Sequence, residues 1–427
     1  MGADMLAHLP FVKRHARQTV LDALDTSRAV MLHGARQSGK TTLAKQIAAE
    51  RQGSYASLDD DTALTAAIDD PVSFLTAGAL PRVIDEVQRG GDRLIRAVKR
   101  LIDDDPSSSR FLLTGSTNFL TVPTISESLA GRIRLLLLRP LSRAELAGTR
   151  SSAIDAWRNS TPDLSVGGST SRSGYLDMTC QGGYPGAIRL GTRHDALAAW
   201  FEDYTTTVIG RDLGFLASIR DESAMDRLLT WIAACTACTL NVAEASRRLG
   251  VTRPTLNRYL EWLRAVFLVE ALPAWSRNAL SRAVQRPKIH LTDSGLAAAL
   301  LGTSAEAVAE PTSTSVGPLL ETFVVNEVAR QVSTSPRRPA LRHYRDRDGR
   351  EVDLILEWRD GSIVAVEVKA SQSPSPGAVG QLAWLRDRLD AASPGAFRAG
   401  VLLHTGQTHL KLADRLYAAP IDTLWSA

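Results

Sequence analysis

Gly34-Ala35-Arg36-Gln37-Ser38-Gly39-Lys40-Thr41 satisfies the pattern G-x-x-x-x-G-K-[ST] in full, and that pattern is suited to holding phosphate. Its glycines let the backbone wrap around an anion, and consecutive N–H groups at a helix N-terminus then point at it. Lys40 would neutralise the β- and γ-phosphates, the Thr41 hydroxyl would hold Mg²⁺, and Thr42 follows in the helix. The bland alternative is a plain glycine turn. Downstream, Arg82-Val83-Ile84-Asp85-Glu86 is a short apolar run ending in two carboxylates. Asp85 at a strand end would hold the Mg²⁺ water shell, and Glu86 would orient and deprotonate an attacking water. Ser116 or Asn118, after Phe111-Leu112-Leu113-Thr114-Gly115, could reach the γ-phosphate. Arg132 could stabilise the transferring phosphoryl group in cis or across a subunit boundary, or be a surface salt bridge. Near the C-terminus, Asp353, Glu367 and Lys369 form a third candidate group. The two carboxylates could bind Mg²⁺ while Lys369 positions a water for attack on a phosphodiester; the alternative is internal charge pairing.

These side chains need a particular scaffold. Ala29 to His33 reads as a buried strand and Thr42 to Ala48 as a helix, so the glycine-rich stretch is a strand-to-helix loop. Phe111 to Thr114 is expected between the two motif strands, with its polar end at the phosphate. Phe11 to Leu24 reads as an amphipathic helix leading in. At the other end, Glu351 to Leu356 and Ile363 to Lys369 flank Asp360-Gly361 as a hairpin. Glu367 and Lys369, two apart, then share a face, and hairpin pairing brings Asp353 near them.

At 427 residues the chain is long for a single core, so two or three domains are expected. A hydrophobic fraction of 44% and a charged fraction of 22% are those of a globular chain, and no run has the length of a membrane span. A cytoplasmic protein without a membrane partner is expected. Three cysteines argue against a disulfide framework, and Cys235-Thr236-Ala237-Cys238 reads as core packing in an apolar helical run. A net charge of +4 says little about partners.

Several short motifs together resemble bacterial and archaeal AAA-type ATPases (AAA_14) with a C-terminal DUF4143 domain. They are Gly34 to Thr41, Ile84-Asp85-Glu86-Val87-Gln88, Leu113-Thr114-Gly115-Ser116, Ser128-Leu129-Ala130-Gly131-Arg132, Gly182-Gly183-Tyr184-Pro185, Thr292-Asp293-Ser294-Gly295-Leu296, and Glu351-Val352-Asp353 with Glu367-Val368-Lys369. The resemblance covers nearly the whole chain. It implies ATP binding and a C-terminal fold similar to PD-(D/E)xK nucleases, in which Glu321 and Gln381 occupy places where site residues are often added. Ala35 departs from the family's usual proline, which alters loop stiffness and not the phosphate contacts.

The expected architecture is α/β: a P-loop ATPase domain with a parallel sheet over 1–147, a flexible insertion over 148–180, a helical and winged-helix region over 181–285, and a nuclease-like α/β domain over 286–427. Residues 150–174, rich in Ser, Thr, Gly and Asp, read as exposed. Gly182 to Gly186 reads as a turn cluster. Within the winged helix, Arg253, Thr255, Asn257 and Arg258 would face DNA and Arg247 and Arg248 would contact phosphates, unless the module serves packing alone. The arginines between 337 and 350 could track a phosphate backbone or be solvated. The function expected is ATP hydrolysis coupled to a Mg²⁺-dependent nuclease-like domain acting on DNA or RNA, with ATP and Mg²⁺ as cofactors and a homo-oligomer possible through Arg132. The alternative is an ATP-controlled switch that binds DNA or protein and cuts nothing.

Overall fold

The computed structural model describes residues 12–105, 107–117, 131–150, 153–160, 167–213, 222–276, 285–335, 337–374 and 376–426. Its N-terminal sheet is parallel, from β1 (Ala29–His33), β2 (Ser54–Ser57), β3 (Arg82–Asp85), β4 (Phe111–Gly115) and β5 (Ile133–Leu137), in the order β2-β3-β4-β1-β5. β4 therefore separates the loop-bearing β1 from the acidic β3, as the sequence led us to expect. All of β1 is buried because helices cover both faces. Val30 and Leu32 pack with Leu43 and Ile47 of the helix Lys40–Glu50. Ala29 and Met31 pack with Leu94, Ile95 and Val98 of the amphipathic helix Gly91–Asp104.

The C-terminal sheet is mixed. It contains β9 (Ala340–Arg345), β10 (Glu351–Glu357), β11 (Ile363–Lys369), β12 (Phe397–His404), β13 (Leu410–Ala413) and β14 (Leu416–Pro420), in the order β13-β14-β12-β11-β10-β9. Leu354, Leu356, Val364 and Val366 face the long helix Val316–Thr334. Ile355, Ile363 and Ala365 face the helix Gly380–Ala392. The expected β10–β11 hairpin is present, with Leu354 opposite Val366 and Glu357 opposite Ile363. Two strands and a 3-10 turn, Ile421–Leu424, close this part of the described chain.

Between these sheets lie helices and a small antiparallel sheet in which β8 (Lys288–Leu291) is flanked by β6 (Cys238–Thr239) and β7 (Val269–Leu272). The helices Val242–Leu249 and Arg253–Ala265 are joined through Gly250, and Thr252 caps the second. Backbone pairing ties this region to the C-terminal sheet: Trp275 N–H donates to His343 O at 2.6 Å, and His343 N–H to Pro273 O at 2.9 Å.

Two expectations fail. The stretch read as exposed holds the helix Ala153–Arg158, whose Trp157 is 1% exposed against the C-terminal sheet; a few apolar residues on one face suffice where a large indole supplies the buried area. Cys235 and Cys238 are not core residues. They are free thiols at the turn leading into β6, half-buried and exposed respectively. No helix among the described residues is long and apolar enough to cross a membrane.

Candidate active site

The loop after β1 turns into its helix through Gly39, whose φ of 98° belongs to the left-handed region that glycine enters without strain. The Lys40 side chain is buried and donates to Gly34 O at 3.0 Å and Ala35 O at 2.9 Å. Arg14 braces the loop from outside, donating to Ser38 O at 2.7 Å and to the Glu145 carboxylate at 3.0 Å. Neighbouring His33 is pushed down to about 4, first by burial and then by the Lys40 charge.

β3 delivers its carboxylates to this loop. Thr41 Oγ1 donates to Asp85 Oδ2 at 2.8 Å, and the Tyr55 hydroxyl to the same oxygen at 2.9 Å. Burial and then Asp85 push the Tyr55 phenol well above its usual range. The Thr114 hydroxyl, from β4, donates to Asp85 Oδ1, and Glu86 N–H donates to Thr114 Oγ1 at 3.1 Å. Glu86 stands in the left-handed region at φ 54°, a conformation that costs of order 1–3 kcal/mol in a residue with a side chain. The Gln88 amide bridges Glu86 and Ser116, donating to Ser116 Oγ at 3.1 Å. Asp85, Glu86, Thr41 and Ser116 are thus drawn together by parallel strand ends. Asn118 lies outside the described residues.

A cavity of about 410 Å³ opens beside the loop, a volume in the usual range for small-molecule sites. Gln37, Lys40, Thr41, Thr42 and Glu86 form one wall, while Pro185, Gly186, Ile188 and Arg189 of the helix Pro185–Leu190 form the other. The Gly182 to Gly186 cluster, read as a turn, therefore also builds the far wall of the cavity. Sequence spacing carried no signal for Arg14 and Arg189, which reach the cavity from separate elements, or for Tyr55, which reaches Asp85 from β2.

The second group of candidates also converges. Val368 N–H donates to Asp353 Oδ2 at 3.0 Å, and Lys369 Nζ lies 2.7 Å from Glu367 Oε1. Burial, then Asp353, push Glu367 up to about 7. A residue outside the expected set stands among them. Lys288 Nζ, from β8, lies 2.6 Å from Glu351, 2.8 Å from Glu321 and 3.2 Å from Asp353. Gln381 is exposed in the first turn of its helix.

Residues 26–147 match the AAA domain family AAA_14, and residues 316–424 match DUF4143, a domain of unknown function. The chain thus carries a segment that matches the AAA domain family, followed by a C-terminal segment that matches DUF4143. Residues 172–307 match a further domain of unknown function, DUF8612. Two relatives, uncharacterized protein Rv2008c of Mycobacterium tuberculosis and uncharacterized protein Mb2031c of Mycobacterium bovis, are each 28% identical over 413 residues, spanning 96% of this chain and 84% of theirs. Among solved structures, the Walker-type ATPase PABY2304 of Pyrococcus abyssi aligns at 14% identity and a TM-score of 0.41, covering 69% of this chain and 99% of that one. The RuvB Holliday junction branch migration motor of Thermotoga maritima aligns at 21% identity and a TM-score of 0.30, covering 62% and 91%. Likeness this remote bears on neither substrate nor partner.

In the AAA domain the order of strands, with β4 between β1 and β3, is that of a P-loop NTPase. Arg132 is not part of that chemistry within one chain. It precedes β5, which runs parallel to β1 with Ile133 opposite Ala29. With a rise of about 3.3 Å per residue, the five-residue strand holds Arg132 roughly 16 Å from the loop end of the sheet. There it pairs with Asp103 at 2.6 Å. The other residues of its motif, Ser128 to Ala130, lie outside the described residues.

The AAA and DUF4143 domains meet at a buried polar hub. Asp293 Oδ2 accepts from Gly183 N–H at 2.7 Å and from Arg330 at 2.8 Å, while Asp293 Oδ1 accepts from Gly295 N–H at 3.0 Å. Arg330 also donates to Glu327 at 2.5 Å, and Glu327 accepts from Arg143 N–H at 2.8 Å. The Arg143 side chain donates to Gln181 at 3.0 Å and to Gly182 O at 2.9 Å. Burial, its largest influence, moves the Arg143 guanidinium down to about 10.

Proposed function

We propose that the protein hydrolyses ATP at the AAA domain and uses the nucleotide state to set the arrangement of its downstream domains. The observation that carries the reading is the meeting of Thr41, Asp85 and Glu86 at one end of a parallel sheet, opposite Lys40. Lys40, now on loop carbonyls, would turn to the β- and γ-phosphates. Thr41 and Asp85 offer the adjacent hydroxyl and carboxylate oxygens that Mg²⁺ favours, so the donor set fits that ion. Bound Mg²⁺ would supply charge neutralisation of the phosphates. Glu86 accepts the proton of the attacking water, and Gln88 holds Glu86 in place while linking it to Ser116. Arg189 on the far wall offers a guanidinium to the phosphates.

The coupling reading rests on the hub. The helix Pro185–Leu190 lines the cavity, the preceding Gly183 is bonded to Asp293, and Arg330 carries the linkage into the helix Val316–Thr334. Nucleotide that draws in Arg189 therefore bears on a helix that also carries Glu321. Of the two downstream readings, the switch without cutting is favoured by Lys288, whose ammonium occupies the place between carboxylates that a nuclease metal would need. A nucleic-acid partner would meet the exposed Arg253, Asn257 and Arg258, with Thr255 half-buried beside them. Beneath that helix lies a groove of about 470 Å³ lined also by Arg264 and Arg286.

The test is phosphate release from ATP by wild-type protein and by Glu86→Gln and Lys40→Ala, alongside hydrogen exchange of the helix Val316–Thr334 with and without a non-hydrolysable ATP analogue. Glu86→Gln should bind ATP yet turn it over about 10²- to 10⁴-fold more slowly, the usual contribution of a general base. Full-rate turnover in that variant removes the base assignment, and exchange that ignores the analogue removes the coupling.

A further inference from the structure

We infer that Lys288 is the resident cation of the carboxylate cluster in the DUF4143 domain, so that in this protein an ammonium from the preceding module stands where a nuclease-like fold would place a divalent metal.

The chemistry of the donor set carries this. A lysine ammonium has three N–H donors; Lys288 donates to Glu321 at 2.8 Å and to Asp353 at 3.2 Å, and it forms an ion pair with Glu351 at 2.6 Å. The Lys288 side chain is 1% exposed, and a charge buried to that degree persists only where it is paired. Three acidic side chains around one ammonium supply that pairing. A divalent ion bound by Asp353 and Glu321 would lie within contact distance of that ammonium, where like charges repel strongly.

Two further oxygens are committed, while Glu367 Oε2 is buried without a hydrogen-bond partner among the described residues. Asp353 Oδ2 accepts from Val368 N–H, and Glu367 Oε1 accepts from Lys369. Among the described residues no three His, Cys, Asp or Glu side chains are grouped to hold a metal ion. His290, two residues along β8, is buried and donates or accepts at Thr322 at 3.1 Å; burial and then Lys288 push it down to about 3, so it adds no second positive charge.

The arrangement has a topological consequence. Lys288 belongs to the small antiparallel sheet, whereas its three partners belong to the helix Val316–Thr334 and to β10. The cluster is therefore an ionic lock between modules, and a metal could enter only if β8 withdrew.

The test is Mn²⁺ binding to the full chain without nucleotide, followed by electron paramagnetic resonance, for wild type, Asp353→Asn, Lys288→Met, Lys288→Arg and Lys288→Met/Asp353→Asn. Wild type and Lys288→Arg should show no Mn²⁺ site that depends on Asp353. Lys288→Met should gain affinity at least tenfold, and the double variant should lose the gain. A wild-type Mn²⁺ site abolished by Asp353→Asn overturns the inference, as does folded Lys288→Met that gains nothing. If Lys288→Met does not fold, the comparison of wild type with Asp353→Asn still decides, because neither protein lacks the ammonium. ATP turnover is read separately, so failure here leaves the AAA assignment untouched.

Discussion

Asp293 and Arg330 meet at 2.8 Å with side chains that are 0% and 3% exposed, at the junction of the AAA domain, the middle region and the DUF4143 domain. Each has further partners: Asp293 accepts from Gly183 and from the first turn of the helix Ser294–Leu300, and Arg330 donates to Glu327. A buried pair of this kind contributes little net free energy against an apolar replacement, but removing one member leaves a charge without compensation.

Arg330→Ala is accordingly expected to destabilise the protein by about 3–5 kcal/mol. Urea unfolding followed by circular dichroism measures it. A loss below about 1 kcal/mol, the range of exposed ion pairs, would show that the hub is solvated or replaceable.

Gly182 has a φ of 72°, and a Cβ placed there would lie 1.9 Å from Asp293 Oδ1. Gly182→Ala should therefore lower the unfolding midpoint and reduce ATP turnover together, since the adjacent helix forms the cavity wall. A variant that loses stability but keeps the wild-type KM for ATP would separate the hub from the nucleotide site.

Arg189 and Arg132 give opposite expectations. Arg189→Ala should raise the KM for ATP or lower kcat, because Arg189 lines the cavity. Arg132→Ala should leave turnover by the monomer unchanged and cost about 0–1 kcal/mol, as for a surface salt bridge. Loss of activity in Arg132→Ala that grows with protein concentration would reveal a role across a subunit boundary.

Four buried histidines, His33, His290, His343 and His404, set the acid limit, and burial lowers His404 as it does the others. Burial is the leading cause that pushes His33 and His343 down to about 4 and His290 down to about 3, all from the ordinary 6.5. Between those values and 6.5 these histidines bind protons in the unfolded chain that they do not bind in the folded one, so their contribution to stability rises with pH, opposed in part by Glu367, which keeps its proton in the folded chain up to about 7. Thermal unfolding should show their full contribution above about pH 6.5 and its progressive loss as pH falls toward 4. His343→Gln should flatten part of that slope, and an unchanged slope would remove His343 from the account.

The nucleotide site was legible because its residues are contiguous or end neighbouring strands. Gly34 to Thr41 specify their own loop, and a short apolar run that stops at Asp85-Glu86 can end only at the sheet edge where the loop lies. The β10–β11 hairpin was legible for the same reason, since a tight turn fixes register and so places Asp353 level with Glu367. Arg132 misled because its sequence neighbours say nothing of strand direction. Parallel pairing of β5 with β1 puts its start at the far end of the sheet.

Lys288 shows most clearly what tertiary structure alone decided. In sequence it is one apolar-flanked lysine opening a short strand, far from every carboxylate it meets. Its role comes from the packing of one sheet against the helix of another domain, which buries the ammonium among Glu321, Glu351 and Asp353. The sequence by itself determined the phosphate loop, the acidic strand end and the carboxylate hairpin, because local spacing and strand periodicity suffice for them. Which cation the hairpin's carboxylates hold, and which wall closes the nucleotide cavity, depended on contacts between elements distant in the chain, and those follow from burial and charge pairing in three dimensions.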